Sequence, residues 1–172
     1  MIVLHDAEAI RAGIQAVARR IRERFEGTEL TVLAILRGGI VFAADLIRAL
    51  ELPVRLDTIG VSSYRGDTTD PGAIQISSSP SLDVKSKAVL IVDDILDTGR
   101  TLSRIRADVA ARGASQIATA VLLDKPARRA VPIEADFVVF TVPDVWVVGY
   151  GLDHDEKYRN LPYIAALPAP SG

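Results

Sequence analysis

The chain has 172 residues, of which 49% are hydrophobic and only 5% aromatic, so its length suits one domain with a mainly aliphatic core. A formal net charge of −2 provides no global attraction to nucleic acid or to an anionic membrane, and we expect neither as a partner. The absence of cysteine excludes disulfides, thiolate metal sites and thiol catalysis.

The sequence carries no targeting or spanning pattern. No apolar run approaches the roughly 18 residues of a membrane-spanning helix. The N-terminal stretch MIVLHDAEAI lacks the basic start and the long apolar core of a signal peptide. We therefore expect a soluble, cytoplasmic protein with one domain over residues 1–167 and a frayed tail over residues 168–172.

The first element is predicted as a helix over residues 6–26. Asp6 can cap this helix, and Gly27 is placed to end it. Apolar residues recur in steps of three and four, as on the core face of an amphipathic helix: Ile10, Ile14, Val17, Ile21 and Phe25. We expect this helix to serve packing rather than chemistry.

A glycine-rich turn follows the second element. Residues 31–36, TVLAIL, predict a buried strand, and a helix is predicted from about Phe42 to Leu50. Between them stands the tripeptide Arg37-Gly38-Gly39. Glycine lets backbone N–H groups approach an anion and Arg37 adds positive charge, although a plain tight turn explains the two glycines as well.

A long polar loop follows the third predicted strand, which covers residues 54–61. The loop covers residues 62–73, is rich in turn-forming residues and holds one aromatic residue, Tyr64. Its length suits a mobile lid that excludes water from a reactive intermediate. The alternative is a solvated hairpin connection in which residues 74–76 form the return strand.

The most informative stretch covers residues 88–101 and reads AVLIVDDILDTGRT. Its uninterrupted apolar run predicts a strand buried on both faces that ends at Asp93 and Asp94, with Asp97 three residues later. A turn and a predicted helix come next, and N–H groups at a helix N-terminus can hold a phosphate. The carboxylates would repel that phosphate, so we expect them to face ribose hydroxyls, a bound Mg²⁺ or a proton to be removed.

Two further strands are predicted over residues 116–123 and 137–142. Lys125 follows the first, where an exposed charge is the ordinary interpretation. Trp146, the only tryptophan, follows the second. A lone tryptophan usually belongs to the core, but a ring beside a strand end can also stack on a heterocycle.

These segments together resemble the type I phosphoribosyltransferases. VLIVDDILDTGRT is similar to the family's motif for phosphoribosyl pyrophosphate (PRPP), and LRGG at 36–39 and SSY at 62–64 match as well. LLDKP at 122–126 and VVGYGLDHDEKYRNLPYI at 147–164 are similar to the hypoxanthine(-guanine) enzymes. The resemblance implies an α/β fold with an open, mainly parallel sheet flanked by helices, a small hood region and a flexible loop.

The resemblance also implies a reaction. The enzyme would transfer the 5-phosphoribosyl group from PRPP to N9 of a 6-oxopurine, giving IMP or GMP and pyrophosphate, with Mg²⁺ as cofactor. Asp97 would be the general base that removes the N7 proton, while Asp93, Asp94 and Asp153 would ligate metal. PRPP and nucleotide would be bound by Arg37, Gly38, Ser63, Tyr64, Asp93, Asp94, Ile95, Leu96, Asp97, Thr98, Gly99, Arg100, Thr101 and Arg159.

The purine site implied by the resemblance lies later in the chain. Lys125 would donate to the purine 6-oxo group, which discriminates against adenine, and Trp146 would stack on the base. The backbones around Val147 and Asp153 would read the far edge of the base, and Val145 would complete this site. Members of the family can have a cis peptide at the position of Leu36 and Arg37. They assemble as homodimers or homotetramers, and we expect one of these assemblies for this chain.

Two departures from the family pattern accompany the resemblance. Asp93 stands where many of the purine enzymes have Glu, and Arg37 stands where some members have Lys. The alternative function is a regulator on the same fold that binds nucleotide and RNA. The presence of Asp97 argues against it, as do the pairs at 19–20 and 128–129, which we expect to be scattered solvated arginines rather than a basic face.

Overall fold

The computed structural model describes residues 1–63 and 74–168 and consists of two sheets with helices packed on the larger one. Tyr64 and the remainder of the predicted lid to residue 73 lie outside the described residues, as do residues 169–172 of the predicted tail. The elements are β1 (Ile2–His5), α1 (Ala7–Arg24), β2 (Leu30–Leu36), α2 (Gly39–Leu50), β3 (Val54–Ser63), β4 (Ile74–Ser78), β5 (Ala88–Leu96), α3 (Arg100–Ala111), β6 (Gln116–Asp124), β7 (Phe137–Thr141), β8 (Val147–Val148) and β9 (Ile164–Ala166).

Helix α1 forms as predicted, because its sequence supplies both a cap and a continuous apolar face. The backbone N–H of Ala9 donates to the Asp6 side chain at 2.8 Å, which satisfies one of the free amides of the first turn. The apolar residues of the predicted stripe are all buried. No described helix is both long and apolar enough to cross a membrane.

The larger sheet has the strand order β4-β3-β2-β5-β6-β7, in which all neighbours are parallel except β3 and β4. Alternate residues of β2 belong to two different hydrophobic cores. Leu30 and Val32 belong to the core that contains α1 and α2, whereas Leu33 and Ile35 belong to the core that contains α3. A strand covered on both faces must be apolar throughout, which explains why it shows no alternation. The predicted open, mainly parallel sheet is confirmed.

Strand β5 is longer than predicted. It was expected to end at Asp93 and Asp94, but it continues to Leu96 because it stays in register with β6, where Asp93 lies beside Val121 and Leu96 beside Asp124. The two acids are therefore fixed by a sheet ladder rather than held by a loop. At the other edge, β3 extends to Ser63, and β4 corresponds to the predicted return strand.

The smaller sheet is the predicted hood, and it has the order β1-β9-β8 with antiparallel pairing. The strand near the start of the chain pairs with the strand over Ile164–Ala166, more than 150 residues away in sequence. These strands contain only two to four residues each, and the sequence analysis predicted none of them. The segment that carries Trp146 is attached to the hood, because the N–H of Leu167, next to β9, donates to the carbonyl of Trp146 at 2.8 Å.

Candidate active site

A cleft of about 680 Å³ lies at the carboxyl ends of β2 and β5. In open parallel sheets this edge is where ligands bind, because the loops that leave neighbouring strands diverge there. Strand β5 and the turn after it contribute most of the lining, Gly38 contributes from the turn after β2, and the hood side contributes a carboxylate and a guanidinium. The predicted residues in this lining are Gly38, Asp93, Asp94, Ile95, Leu96, Asp97, Thr98, Gly99, Arg100, Thr101, Asp153 and Arg159.

The two adjacent carboxylates at the end of β5 are electrostatically unfavourable in isolation. Burial raises the pKa of Asp93 well above its usual range, and the neighbouring charge of Asp94 raises it further. Burial also raises the pKa of Asp94, although its hydrogen bonds and the charge of Arg159 oppose that shift. A cation or several hydroxyl donors would relieve this repulsion, so the pair is suited to bind one or the other.

The glycine turn after β2 packs directly against this acid pair. A Cβ atom on Gly38 would lie 1.7 Å from Oδ2 of Asp94, so any side chain at this position would displace the carboxylate. The peptide between Leu36 and Arg37 is cis. The absence of a side chain at Gly38 lets the turn lie this close to the Asp94 carboxylate.

The turn from Asp97 to Thr101 leads into helix α3. Gly99 has a φ of +82°, and a Cβ atom there would lie 2.5 Å from the side chain of Ile133, so glycine is required on both counts. The N–H of Ser103 donates to the carbonyl of Gly99 at 3.0 Å, which starts the helix with its N-terminus at the cleft. Backbone N–H groups in this position can hold a phosphate.

Asp97 stands between this cleft and a second cavity. Its Oδ1 atom is buried and receives no hydrogen bond from the described part of the chain. Nε of Arg128 lies 3.3 Å away, close enough for an ion pair but without hydrogen-bond geometry. Asp97 lines the first cleft and Arg128 lines the second, so this pair marks the place where the two meet.

The second cavity has a volume of about 530 Å³ and lies beside the ends of β6 and β7. Lys125 is 5% exposed, so the interpretation of an exposed charge is wrong, and its Nζ lies 3.5 Å from Oδ1 of Asp144. Together with Lys125, the lining residues are Arg128, Asp144, Val145, Trp146, His154, Leu167 and Pro168.

Trp146 presents its ring to this cavity rather than to the core. Its exposed fraction is 56%, so the usual core interpretation of a lone tryptophan is wrong. The ring of His154 meets it edge-on, with centroids 5.2 Å apart and an interplanar angle of 78°. The exposed part of the indole is thus available for contact with a flat ligand.

Two residues predicted for the purine site, Val147 and Asp153, are not part of the lining of the second cavity. Val147 is buried in the core on β8 and does not line the second cavity, while Asp153 lines the first cleft. Asp153 is 2.8 Å from Nη2 of Arg159, and it accepts a hydrogen bond from the N–H of Glu156 at 3.0 Å. The Glu156 carboxylate in turn lies 2.9 Å from Arg37, so two of the three arginines predicted to bind PRPP, Arg37 and Arg159, are paired with acids.

The donor set for a metal is incomplete within the described residues, where no three carboxylate or imidazole side chains are placed to hold one ion. The pair Asp93 and Asp94 nevertheless fits Mg²⁺, because this ion is commonly bound by one or two carboxylates with substrate oxygens and water completing the shell. Asp153 offers a further carboxylate, although Arg159 neutralises it in this state.

Several site residues were missed by the sequence analysis. No motif of their own marks these residues, and only their position in the sequence, within or close to the segments at 122–126 and 147–164, could have suggested them: Arg128, Asp144, His154 and Glu156. The expectation that the arginines at 128–129 are solvated is wrong for Arg129, whose side chain is 17% exposed and bonded to the turn after β5. Ser63 ends β3, and its side chain lies outside the described residues.

Comparison with known proteins agrees with this arrangement. The family model described as a phosphoribosyl transferase domain matches residues 3–155. The chain belongs to the type I phosphoribosyltransferase family. It is 41% identical over 167 residues to the hypoxanthine-guanine phosphoribosyltransferase of Streptococcus pneumoniae, covering 97% of this chain and 92% of that one.

Solved structures of the family superpose over nearly the whole chain. The hypoxanthine-guanine phosphoribosyltransferase of Bacillus anthracis, with a HEPES molecule in its active site, gives a TM-score of 0.93 at 38% identity, covering 98% of this chain and 99% of that one. A mutant hypoxanthine phosphoribosyltransferase of Trypanosoma cruzi in a ternary complex with its substrates gives 0.92 at 39% identity, covering 96% and 94%. The predicted fold and family are therefore confirmed.

Proposed function

We propose that this chain is a purine-salvage phosphoribosyltransferase that transfers the 5-phosphoribosyl group from PRPP to N9 of hypoxanthine or guanine. In the reaction, N9 forms a bond to C1′ of the ribose while the bond from C1′ to the pyrophosphate oxygen breaks. The bonding electrons leave with pyrophosphate, and the N7 proton passes to the enzyme. The product is IMP or GMP.

One observation carries this proposal: the acidic, phosphate-type cleft adjoins a cavity with a buried lysine and an exposed indole ring, and Asp97 lies at their junction. A general base for this reaction must reach N7 of a purine whose N9 faces the ribose, so it must stand between the two half-sites. Oδ1 of Asp97 accepts no hydrogen bond from the described residues, so it could take that proton once Arg128, 3.3 Å away, moves aside.

The PRPP half of the site follows from β5 and the turns around it. The amides and the two Thr hydroxyls of residues 97–101 would hold the 5′-phosphate, and Asp93 and Asp94 would hold the ribose hydroxyls directly or through Mg²⁺. Arg37 and Arg159 would bind the pyrophosphate, which would take the place of the Glu156 carboxylate on the two guanidinium groups. Ser63 and Tyr64 are proposed to close over PRPP.

The purine base would be bound by Lys125 and Trp146. The Lys125 ammonium is a donor only, so it can bond the 6-oxo group of hypoxanthine or guanine but not the 6-amino group of adenine. Trp146 would stack on the base with the exposed part of its ring. Val145 lines the same cavity, whereas Val147 contributes through its backbone as part of β8.

Asp93 and Asp94 would hold Mg²⁺ together with ribose hydroxyls, and Asp153 would ligate a second ion beside the pyrophosphate. Bound there, the metal would supply positive charge that stabilises the negative charge developing on pyrophosphate. We expect excess chelator to abolish nucleotide formation and added MgCl₂ to restore it. Full activity in chelator would contradict the metal assignment.

We further propose that the chain associates as a homodimer or homotetramer. Ile40 on α2 and Leu56 on β3 are large apolar side chains that are half exposed and that a subunit contact could cover. Sedimentation equilibrium should give two or four times the chain mass. A monomer at micromolar concentration would contradict this part of the proposal.

The deciding experiment is a PRPP-dependent assay with hypoxanthine, guanine, xanthine, adenine and uracil, in which chromatography detects both nucleoside monophosphate and pyrophosphate. We expect equal amounts of both products with hypoxanthine or guanine and no reaction with adenine. A lack of product with every base would overturn the proposal and favour a nucleotide-binding regulator on this fold.

A further inference from the structure

The segment after β6 carries an arginine that the proposed mechanism does not use. Arg129 follows a single turn of 3₁₀-helix over Pro126–Arg128. Its Nη1 atom donates to the carbonyl of Leu96 at 2.9 Å and to the carbonyl of Asp97 at 2.5 Å, and its Nη2 atom pairs with the carboxylate of Asp124. Both carbonyls lie where the chain leaves β5 and enters the turn to α3.

The surrounding backbone makes this attachment rigid. The N–H groups of Ala130 and Val131 donate to the carbonyl of Thr98 at 2.9 and 3.3 Å, and the N–H of Lys125 donates to the carbonyl of Leu96 at 3.0 Å. The Leu96 carbonyl thus accepts one hydrogen bond from Lys125, which is proposed to bind the purine, and another from Arg129. The Leu96 carbonyl therefore links the backbone of the proposed purine site to the turn of the proposed PRPP site.

The chemistry of the guanidinium explains why an arginine serves here. Its planar fork can donate to two successive carbonyls and still reach a carboxylate, whereas a lysine ammonium has one nitrogen to place. Two bonds to the carbonyls on either side of the Asp97 nitrogen and α-carbon restrict the backbone of that residue. The direction of the Asp97 side chain is restricted with it.

We propose that Arg129 is a positioning residue for Asp97, holding its carboxylate within reach of the purine N7 proton. This inference rests on the proposed function, because it concerns the base in that reaction. A displacement of about 1 Å at a reacting group can lower a rate by about 100-fold, so a restraint on the backbone is sufficient to affect the chemical step. The hydrogen bonds of the Arg129 guanidinium go to Leu96, Asp97 and Asp124, none of them through a group that the proposed function assigns to substrate.

The test is a double-mutant cycle between Arg129→Lys and Asp97→Asn, which separates positioning from a general structural role. Rates of nucleotide formation in a single turnover are measured for wild type, both single variants and the double variant, below the melting temperature of each. We expect R129K to lower the rate about 10- to 100-fold with a change in PRPP KM of less than about 3-fold. In the D97N background the same substitution should lower the rate by less than about 2-fold, because the carboxylate that it positions is gone.

Two further variants keep the experiment decisive. Arg112→Lys is the matched control, since Arg112 pairs with Asp108 at 2.7 Å at the far end of α3, and it should leave the rate unchanged. Asp124→Asn removes the carboxylate that holds Nη2, and it should reproduce a smaller loss that also disappears in the D97N background. This variant provides the cycle if R129K does not fold.

The outcomes distinguish the inference from the function. Equal losses from R129K in the wild-type and D97N backgrounds would show a structural role and overturn the inference, as would an unchanged rate in R129K. Either result leaves an active wild-type enzyme and the proposed function in place. A wild-type protein that forms no nucleotide with any base would overturn both.

Discussion

Nε of Arg128 lies 3.3 Å from Oδ1 of Asp97, so the carboxylate proposed to take the purine proton already faces a cation before any substrate binds. The same guanidinium has Nη1 4.0 Å from Oδ1 of Asp144, which in turn lies 3.5 Å from Nζ of Lys125. Charges of alternating sign therefore connect Asp97, the proposed general base, to Lys125, which is proposed to bind the purine 6-oxo group. A purine that enters this cavity would lie beside three of these charged groups, because Lys125, Arg128 and Asp144 all line it.

The first prediction concerns Asp97. Asp97→Asn keeps the size of the side chain but removes its ability to accept a proton, and we expect kcat to fall by about 10²- to 10⁴-fold. Steady-state rates with hypoxanthine and saturating PRPP test this. Asp108→Asn, which changes an aspartate on α3 that pairs with Arg112, is the matched control and should remain active. Turnover near the wild-type value in D97N would remove Asp97 from the role of base.

The second prediction concerns Lys125, which is buried beside the proposed purine position. A hydrogen bond from a charged donor contributes about 1.5–3 kcal/mol, so Lys125→Ala should raise the KM for hypoxanthine by about 10- to 150-fold. The KM for PRPP should change far less. Lys87→Ala removes a surface lysine paired with Glu29 and serves as the control. Equal losses for both substrates would contradict a role in reading the base.

The third prediction uses the single tryptophan as its own probe. If a purine stacks on Trp146, its binding should quench the intrinsic fluorescence of the protein, and the titration then gives a Kd for the base. Stacking of a base on an aromatic ring is worth about 1–3 kcal/mol, so Trp146→Ala should weaken binding by about 5- to 150-fold, as measured by calorimetry. Trp146→Phe should retain most of the affinity. Unchanged fluorescence at saturating base, together with normal binding by W146A, would place the purine elsewhere.

The fourth prediction concerns stability rather than catalysis. Burial alone would raise the pKa of Asp136, but the hydrogen bond from Arg24 and two from Thr119 outweigh it and hold the pKa below its usual value. The folded protein therefore binds this proton less tightly than the unfolded chain does. The resulting stabilisation is complete above the unfolded-state pKa of about 3.8 and is lost as the pH falls through the lower folded-state value.

Asp136→Asn should consequently lower the free energy of unfolding by about 1–3 kcal/mol at neutral pH. The difference from wild type should shrink as the pH is lowered below about 4. Urea denaturation followed by circular dichroism at a series of pH values measures both effects. A difference that is constant across this range would show that the charge of Asp136 contributes nothing to stability.

The sequence predicted those parts of the fold that depend on local pattern. The long apolar stripe of α1 and the apolar run of β2 each show one period over many residues, so their structures follow directly. The predicted end of β5 was wrong. Aspartate has a low propensity for strands, and it is pairing with β6 that keeps Asp93 and the residues after it in the sheet. The hood strands depend on pairing between distant segments, which leaves no local signal.

The same division applies to the site. The turn from Asp97 to Thr101 is continuous in sequence, and its residues do line one cleft. The partners of that turn are side chains from other segments, such as Arg128 and Arg129, and an isolated arginine pair looks the same whether solvated or buried. Trp146 was ambiguous because its environment depends on the hood strands around it.

Strand β9 is the middle strand of the hood, and this has a consequence for hydrogen exchange. On one side it pairs with Ile2–His5 and on the other with β8, next to Trp146. Local opening of the first strand frees one edge of β9 and so loosens the support of the indole. By linkage, a ligand that requires the indole in place should slow amide exchange in the first strand, although no residue of that strand lines the cavity.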